Sequence, residues 1–326
     1  MEKNLIKKLK KIRNNTYTKK DFIIADAKDG DMGGGIYVVG KKKNNEEYPR
    51  PFTDYIDEMR AITKTNLVDI MLMSASSAEQ LVKENLFKTS EVTPAVRYND
   101  ATDIWSQRFS NYGNIKPRNF RTPNLNLIKE IVNLGLFSIT FTNDIENDHN
   151  FLTEFNKFIL DANNANLEYF LEVFNPKVDI GISQEDIPSY VNDSIVKCLA
   201  GLTEKERPLF LKMPFNGPKA MEEISNYNPQ KLIVGILGGA KGTTRDTFEL
   251  IYQGEKYGAR VALFGRKIQF SEAPIKLIEL MRSVVENEIS TVEAVKNYHS
   301  YLSKNNITPN LNLDDDIEIT EDVLKN

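Results

Sequence analysis

Residues 208–214 read Pro208-Leu209-Phe210-Leu211-Lys212-Met213-Pro214. A short apolar run bounded by prolines predicts a buried strand, and a single lysine lies inside it. Desolvation disfavours the ammonium form, so a lysine held among aliphatic neighbours titrates lower and presents a free amine that can attack a ketone. Lys212 is therefore the candidate nucleophile. The plainer reading is a strand-end lysine whose stem packs against the core while its head reaches water.

Working outward, seven more runs have the same character, at residues 22–26, 68–74, 92–98, 137–142, 167–174, 231–237 and 260–265. Most are apolar on both faces instead of alternating, as expected of parallel strands covered by helices on one side and by barrel core on the other. Amphipathic stretches separate them, such as residues 248–258, which close on Gly258, a helix stop. The cadence predicts a single (β/α)8 TIM barrel over residues 1–310, with no linker dividing it. No GxGxxG follows the first strand, and Gly33-Gly34-Gly35 is too compact to be that fingerprint. Residues 5–13 predict an amphipathic N-terminal helix that plugs the barrel's N-terminal face in preference to binding a membrane. Residues 311–326 form an acidic C-terminal tail, with Asp314, Asp315, Asp316, Glu318, Glu321 and Asp322, read as solvated and mobile.

Composition excludes several functional classes. A net charge of -4 and pI near 5.5 give no reason to expect nucleic acid or anionic lipid as a partner. The lone Cys198 rules out an intramolecular disulfide and fits a reducing compartment. The start lacks the apolar core of a signal peptide, and no stretch is long and apolar enough to span a bilayer, so a cytoplasmic protein is expected. His149 and His299 stand far apart and outside any zinc pattern, so no metal is expected from them. Carboxylate-bound magnesium at Asp26, Asp29 and Asp31 is the remaining metal reading.

In a barrel, catalytic groups come from the C-terminal ends of strands and the loops after them. Asp26, Glu172 and Lys212 all fall at or near such ends. Together they suit iminium chemistry, in which Lys212 attacks the ketone and a carboxylate shuttles protons. Apolar neighbours should raise the pKa of Glu172, an adjacent ammonium should oppose that, and the plainer alternative is a structural ion pair. Asp26 either orients substrate hydroxyls or assists proton transfer, the plainer alternative being that it caps a turn with Asp29. Two later strands end in glycine, at Gly238-Gly239 and Gly265-Arg266, where backbone N–H groups can approach an anion and Arg266 can clamp it. The segment is not a Walker A loop, since Thr243 follows Gly242 where a GK[ST] ending would stand. Arg97, ending the third strand, is a candidate for a second anion or a sugar hydroxyl, and Lys28 is grouped with the anion contacts. Two loops are long, 28–51 and 99–126. The second carries Trp105, Arg108, Tyr112, Arg118, Phe120 and Arg121 and reads either as a lid over an anion or as a subunit contact.

With these residues in place, the chain resembles the class I, Schiff-base aldolase family that includes deoxyribose-phosphate aldolase and tagatose-bisphosphate aldolase. The likeness rests on Leu209-Phe210-Leu211-Lys212, on Gly238-Gly239, and on Gly258-Ala259 followed by Phe264-Gly265-Arg266-Lys267-Ile268. It is sharpest over the last third of the chain. The resemblance implies Lys212 as the Schiff-base residue, Glu172 as acid/base, Asp26 as a first-strand carboxylate, Gly239, Gly265 and Arg266 as phosphate contacts, and no cofactor. Some relatives carry a lysine or tyrosine on strand four, and residues 137–144 here have neither. A branch of similar proteins acts as transaldolases on phosphorylated or sulfonated ketoses. The expected function is thus an aldolase or transaldolase acting on a small anionic ketose, in a homo-oligomer, since barrels of this type commonly assemble. The alternatives are a sugar-phosphate isomerase or epimerase using carboxylates, and a noncatalytic barrel that binds a sugar phosphate.

Overall fold

The structure is a computed structural model and describes residues 2–42, 45–121 and 123–325. Eight parallel strands carry it: β1 (Ile23–Lys28), β2 (Ile70–Met73), β3 (Thr93–Arg97), β4 (Leu134–Thr140), β5 (Glu168–Phe174), β6 (Leu211–Lys212), β7 (Gly235–Leu237) and β8 (Val261–Phe264). They are hydrogen-bonded in the order β6-β5-β4-β3-β2-β1-β8-β7. A parallel bridge from Met213 to Ile236, with the Met213 N–H donating to the Gly235 carbonyl at 2.9 Å, closes β6 onto β7. The predicted (β/α)8 TIM barrel is the observed fold.

Helix α1 (Asn4–Arg13) precedes the barrel, and α2 (Phe52–Thr65), α3 (Ala75–Lys83), α4 (Ile145–Asn164), α5 (Ile187–Ala200), α6 (Pro218–Tyr227), α7 (Thr244–Lys256), α8 (Pro274–Val285) and α9 (Thr291–Lys304) surround the strands. Between β3 and β4 the long loop and one helical turn, Leu125–Ile128, take the place of a full helix. Side chains in a strand alternate between faces, and the packing fixes which face is which. Ile23 and Ala25 of β1, Leu134 and Leu136 of β4, and Phe170 and Phe210 fill the barrel interior. Ile24, Met71, Val96, Leu171 and Phe264 face the helices. Strand bounds differ slightly from the reading of the sequence: β1 runs two residues further, to Lys28, and β4 starts three residues earlier, at Leu134.

Leu5, Leu9 and Ile12 of α1 join the interior cluster, so the N-terminal helix plugs the barrel as its apolar spacing predicts. The C-terminal tail differs from its reading. Its acids are mostly exposed, yet it is laced to α7. The Asp316 carboxylate accepts from the Thr244 N–H at 2.7 Å and meets His299 Nε2 at 2.8 Å. The N–H groups of Thr320 and Glu321 donate to Asp246, and Leu324 is buried. No helix among the described residues is long and apolar enough to cross a membrane.

Candidate active site

Lys212 closes β6 and pairs in register with Glu172 of β5, which in turn pairs with Ser138 of β4. All three share the inner face with Phe210, Phe170 and Leu136. Lys212 Nζ lies 2.6 Å from Glu172 Oε1. The other carboxylate oxygen, Oε2, accepts from Arg97 Nη1 at 3.2 Å and from the Ser138 hydroxyl at 2.9 Å. Arg97 Nη2 donates to that same hydroxyl. Asn99 holds the arrangement from above, its amide accepting the Ser138 N–H at 2.8 Å and donating to the Ser138 carbonyl at 3.0 Å. Lys212, Glu172 and Arg97 are each less than a tenth exposed.

Burial alone pushes the Glu172 carboxyl up, but Lys212, Arg97 and the Ser138 hydroxyl outweigh it and hold the group below the usual carboxylate range. The sequence reading had its apolar neighbours raising it. They do flank it, on the outer face of the strand, while the inner face supplies two cations. Glu172 is therefore a carboxylate shared between an amine on one side and a guanidinium on the other.

Asp26 and Lys28 do not join this group. Residues 23 and 25 of β1 point inward, so 26 and 28 point outward, in register with Met71, Phe264 and Met73. Lys28 Nζ bonds Glu58 Oε1 of α2 at 2.6 Å and Gln269 at 2.5 Å. It has no exposed surface, so it is not placed to meet a phosphate. The nearest partner of Asp26 is Lys28 Nζ at 3.5 Å, too long for a firm hydrogen bond, and neither carboxylate oxygen has another. Burial pushes this carboxyl up to about 7, although Lys28 pulls the other way. The expectation of Asp26 beside Lys212 thus fails on the parity of one strand.

Asp29, one residue past β1, turns inward instead and accepts from Arg97 Nη1 at 3.1 Å. Arg97, expected to meet an anion or a sugar hydroxyl, is wholly engaged with Asp29, Glu172, Ser138 and the Asn99 carbonyl. Four of its five N–H groups are spent there and it is 2% exposed, so in this arrangement it positions the carboxylate. Asp31 bonds the Ser74 hydroxyl at 2.6 Å, so the three aspartates read as a magnesium group diverge toward Lys28, Arg97 and Ser74.

The glycine-ended strands divide the same way. A Cβ on Gly238 would stand 3.1 Å from the Phe264 ring, and one on Gly265 would stand 3.0 Å from the Ala27 carbonyl, so close packing explains both glycines. Gly239 is different. Its φ is +66° and a Cβ there would meet nothing within 4 Å, which leaves an open, left-handed backbone position at the mouth. Arg266 is exposed beside it on the next strand's exit. The N–H groups of Thr243 and Thr244 at the start of α7 are taken by Asp246 and Asp316, so that helix end is already satisfied within the chain.

The two long loops pack on each other over the β1 to β3 side of the mouth. Arg108 lies 4.2 Å over the Tyr37 ring, and the Ser106 N–H donates to the Gly33 carbonyl at 3.0 Å. Trp105 sits edge-on to Tyr112 at 4.9 Å and to Phe120 at 5.3 Å. The side chain of Arg121 lies outside the described residues. The sequence reading named Asp29 only as a magnesium ligand or turn partner and did not single out Ser138, Asn99 or Asp103 for this region; none stands in a spacing pattern that marks it.

No protein-family model matches the chain, and no curated protein matches it. Solved structures do. A Schiff base-forming fructose-1,6-bisphosphate aldolase superposes with a TM-score of 0.63 at 15% identity, over 86% of this chain and 99% of that one. An archaeal fructose 1,6-bisphosphate aldolase gives 0.61 at 14% identity, over 87% and 99%. A fructose-bisphosphate aldolase from Slackia heliotrinireducens gives 0.62 at 11% identity, over 91% and 90%. At such identities the likeness is one of fold: the chain is built on the same (β/α)8 barrel as these aldolases.

Proposed function

We propose that this chain is a class I aldolase or transaldolase that makes or breaks a C–C bond in a phosphorylated or sulfonated ketose through a Schiff base on Lys212. The observation that carries the reading is Lys212 Nζ at 2.6 Å from Glu172 in the buried C-terminal mouth of the barrel. Fold analogy alone would not, because one barrel hosts many chemistries.

The chemistry follows from that pair. Glu172 accepts the ammonium proton, the freed amine attacks the ketone carbon, and one of the attacking nitrogen's protons passes to the resulting alkoxide to give the carbinolamine. Protonated Glu172 then returns its proton to the carbinolamine hydroxyl, water leaves, and the iminium forms with Glu172 again a carboxylate. Arg97 and Ser138 hold Glu172 Oε2, which leaves Oε1 aimed at the reacting nitrogen throughout. The iminium is the electron sink for C–C cleavage. Release of the resulting enamine fragment makes the protein a lyase; its capture by an acceptor aldehyde makes it a transferase. Gly239 and Arg266 supply the anion contact in this scheme.

The test is reductive trapping. Borohydride added with a panel of phosphorylated and sulfonated ketoses is expected to leave a covalent mass on Lys212, located by peptide mass spectrometry. A chain that stays unmodified with every member of the panel does not use this chemistry.

A further inference from the structure

Aldol chemistry on an iminium needs a second proton transfer, to and from the donor carbon. Glu172 is tied by Arg97 and Ser138 to the nitrogen side, and β4 offers no lysine or tyrosine for the carbon side. Yet β4 does hold a carboxylate, supplied by another segment. Thr140 lies two residues beyond Ser138 on the same inner face, about 7 Å nearer the mouth, and its hydroxyl donates to Asp103 Oδ2. Asp103 comes from the short helical turn Thr102–Ile104 in the long loop after β3. It is 5% exposed, and its second oxygen, Oδ1, is buried with no hydrogen-bond partner. Lys177, in the loop after β5, donates to the Asp103 backbone carbonyl and pins the turn over the barrel.

Resting on the Schiff-base reading above, we propose that Asp103 is the proton-transfer residue for the donor carbon, a role delivered by the β3 loop onto Thr140 instead of by a β4 side chain. A ketose joined to Lys212 at the level of Glu172 and Ser138 extends toward the mouth, into the layer where the Asp103 carboxylate stands. In the direction of bond formation the carboxylate takes a proton from the carbon next to the iminium. The C–H pair becomes the enamine double bond, and the C=N pair moves onto nitrogen. In the direction of cleavage the acid form returns that proton to the enamine carbon and the iminium is restored. The charged groups facing Asp103 are Arg97 of β3, Glu172 of β5 and Lys177. Burial raises its carboxyl above the ordinary value, and Glu172 adds to this, against the Thr140 hydroxyl and the two cations. A buried carboxyl with an unpartnered oxygen is suited to gaining and losing a proton.

The experiment uses the full chain with dihydroxyacetone phosphate in D2O, reading two signals: the borohydride adduct on Lys212 and deuterium uptake at the donor carbon. In Asp103→Asn the adduct is expected to persist while exchange slows by about 10²-fold or more. In Thr140→Val exchange is expected to continue with its acid limb moved to higher pH, because the ionised carboxylate has lost its donor. An adduct with undiminished exchange in Asp103→Asn overturns the assignment and leaves the Schiff-base reading standing. No adduct and no exchange in the native chain, with dihydroxyacetone phosphate and then with every other ketose of the trapping panel, sinks both. Should Asp103→Asn fold poorly, Thr140→Val decides, and an unmoved limb there overturns the proposal.

Discussion

Two clusters of buried charge lie on opposite faces of one sheet, and β1 or its exit supplies a carboxylate to each. Inside the barrel, Lys212, Glu172, Arg97 and Asp29 bring together residues from four segments, and both oxygens of Glu172 are bonded. Outside it, Lys28 joins Asp26 to Glu58 of α2, which also meets Arg50 at 3.3 Å, while neither oxygen of Asp26 is bonded. Charge type and burial are alike in the two places. What differs is the face. The inner cluster lies at the C-terminal ends of the strands, on the face that lines the barrel; the outer one ties the long β1 loop and α2 to the barrel wall. A buried ion pair is thus evidence of chemistry only when the strand parity aims it at a cavity.

The comparison breaks most visibly at the amine. Lys212→Met leaves Glu172 opposed by Arg97, so the fold is expected to persist. Turnover is expected to fall on the order of 10⁴-fold or more, the scale of losing a covalent nucleophile, and the borohydride adduct to vanish, checked by initial rates and intact mass. Next in size is Glu172→Gln. The amide keeps the shape but carries no proton away from Nζ, and turnover is expected to drop by about 10²–10⁴-fold. Here the adduct should still form, only slowly, and stopped-time trapping measures the delay.

How much of this was legible in the sequence follows from the same geometry. Parallel strands wrapped on both faces leave continuous apolar runs, and eight such runs gave the barrel. Lys212 and Glu172 were legible because each interrupts an apolar run near a strand end. Asp26 was misplaced for a related reason: Phe22, Ile23, Ile24 and Ala25 are all apolar, so no alternation says which of them faces inward. The Asp-rich exit of β1 likewise gives no sign that Asp29 turns in and Asp31 turns to Ser74. Arg97 was seen as a strand-end cation, but its partner Glu172 is 75 residues away, a contact that only the closed barrel creates. Asp103 sits in a loop whose aromatic and basic residues are its only compositional signal.

The outer cluster yields a third prediction. Lys28→Met strands Glu58 and Asp26 without their buried cation, and unfolding free energy at neutral pH is expected to fall by about 3–5 kcal/mol. Urea denaturation measures it. The adduct on Lys212 should form at the native rate at low denaturant. An adduct lost together with the stability would mean the two faces act as one unit, and the distinction drawn between them would fail.

The most gradual effect sharpens the distinction further, because it asks whether the outer carboxylate is ionised at all. The Asp26 pKa is raised from the ordinary 3.8 to about 7 in the folded chain. Below the unfolded value both states hold the proton and the stabilising contribution is fully present. As pH rises toward 7 the unfolded chain gives up that proton while the folded chain keeps it. The folded state then binds more protons, so stability declines, with a slope on the order of 1 kcal/mol per pH unit, until the folded group ionises too. Asp26→Asn cannot titrate, so its urea midpoints between about pH 4 and pH 7 are expected to lack this component of the slope. The variant should therefore gain on the native chain as pH rises through that window. If the two chains instead run parallel, Asp26 is an ionised partner of Lys28, and the outer cluster is a satisfied ion pair of the same kind as the inner one, separated from it by position alone.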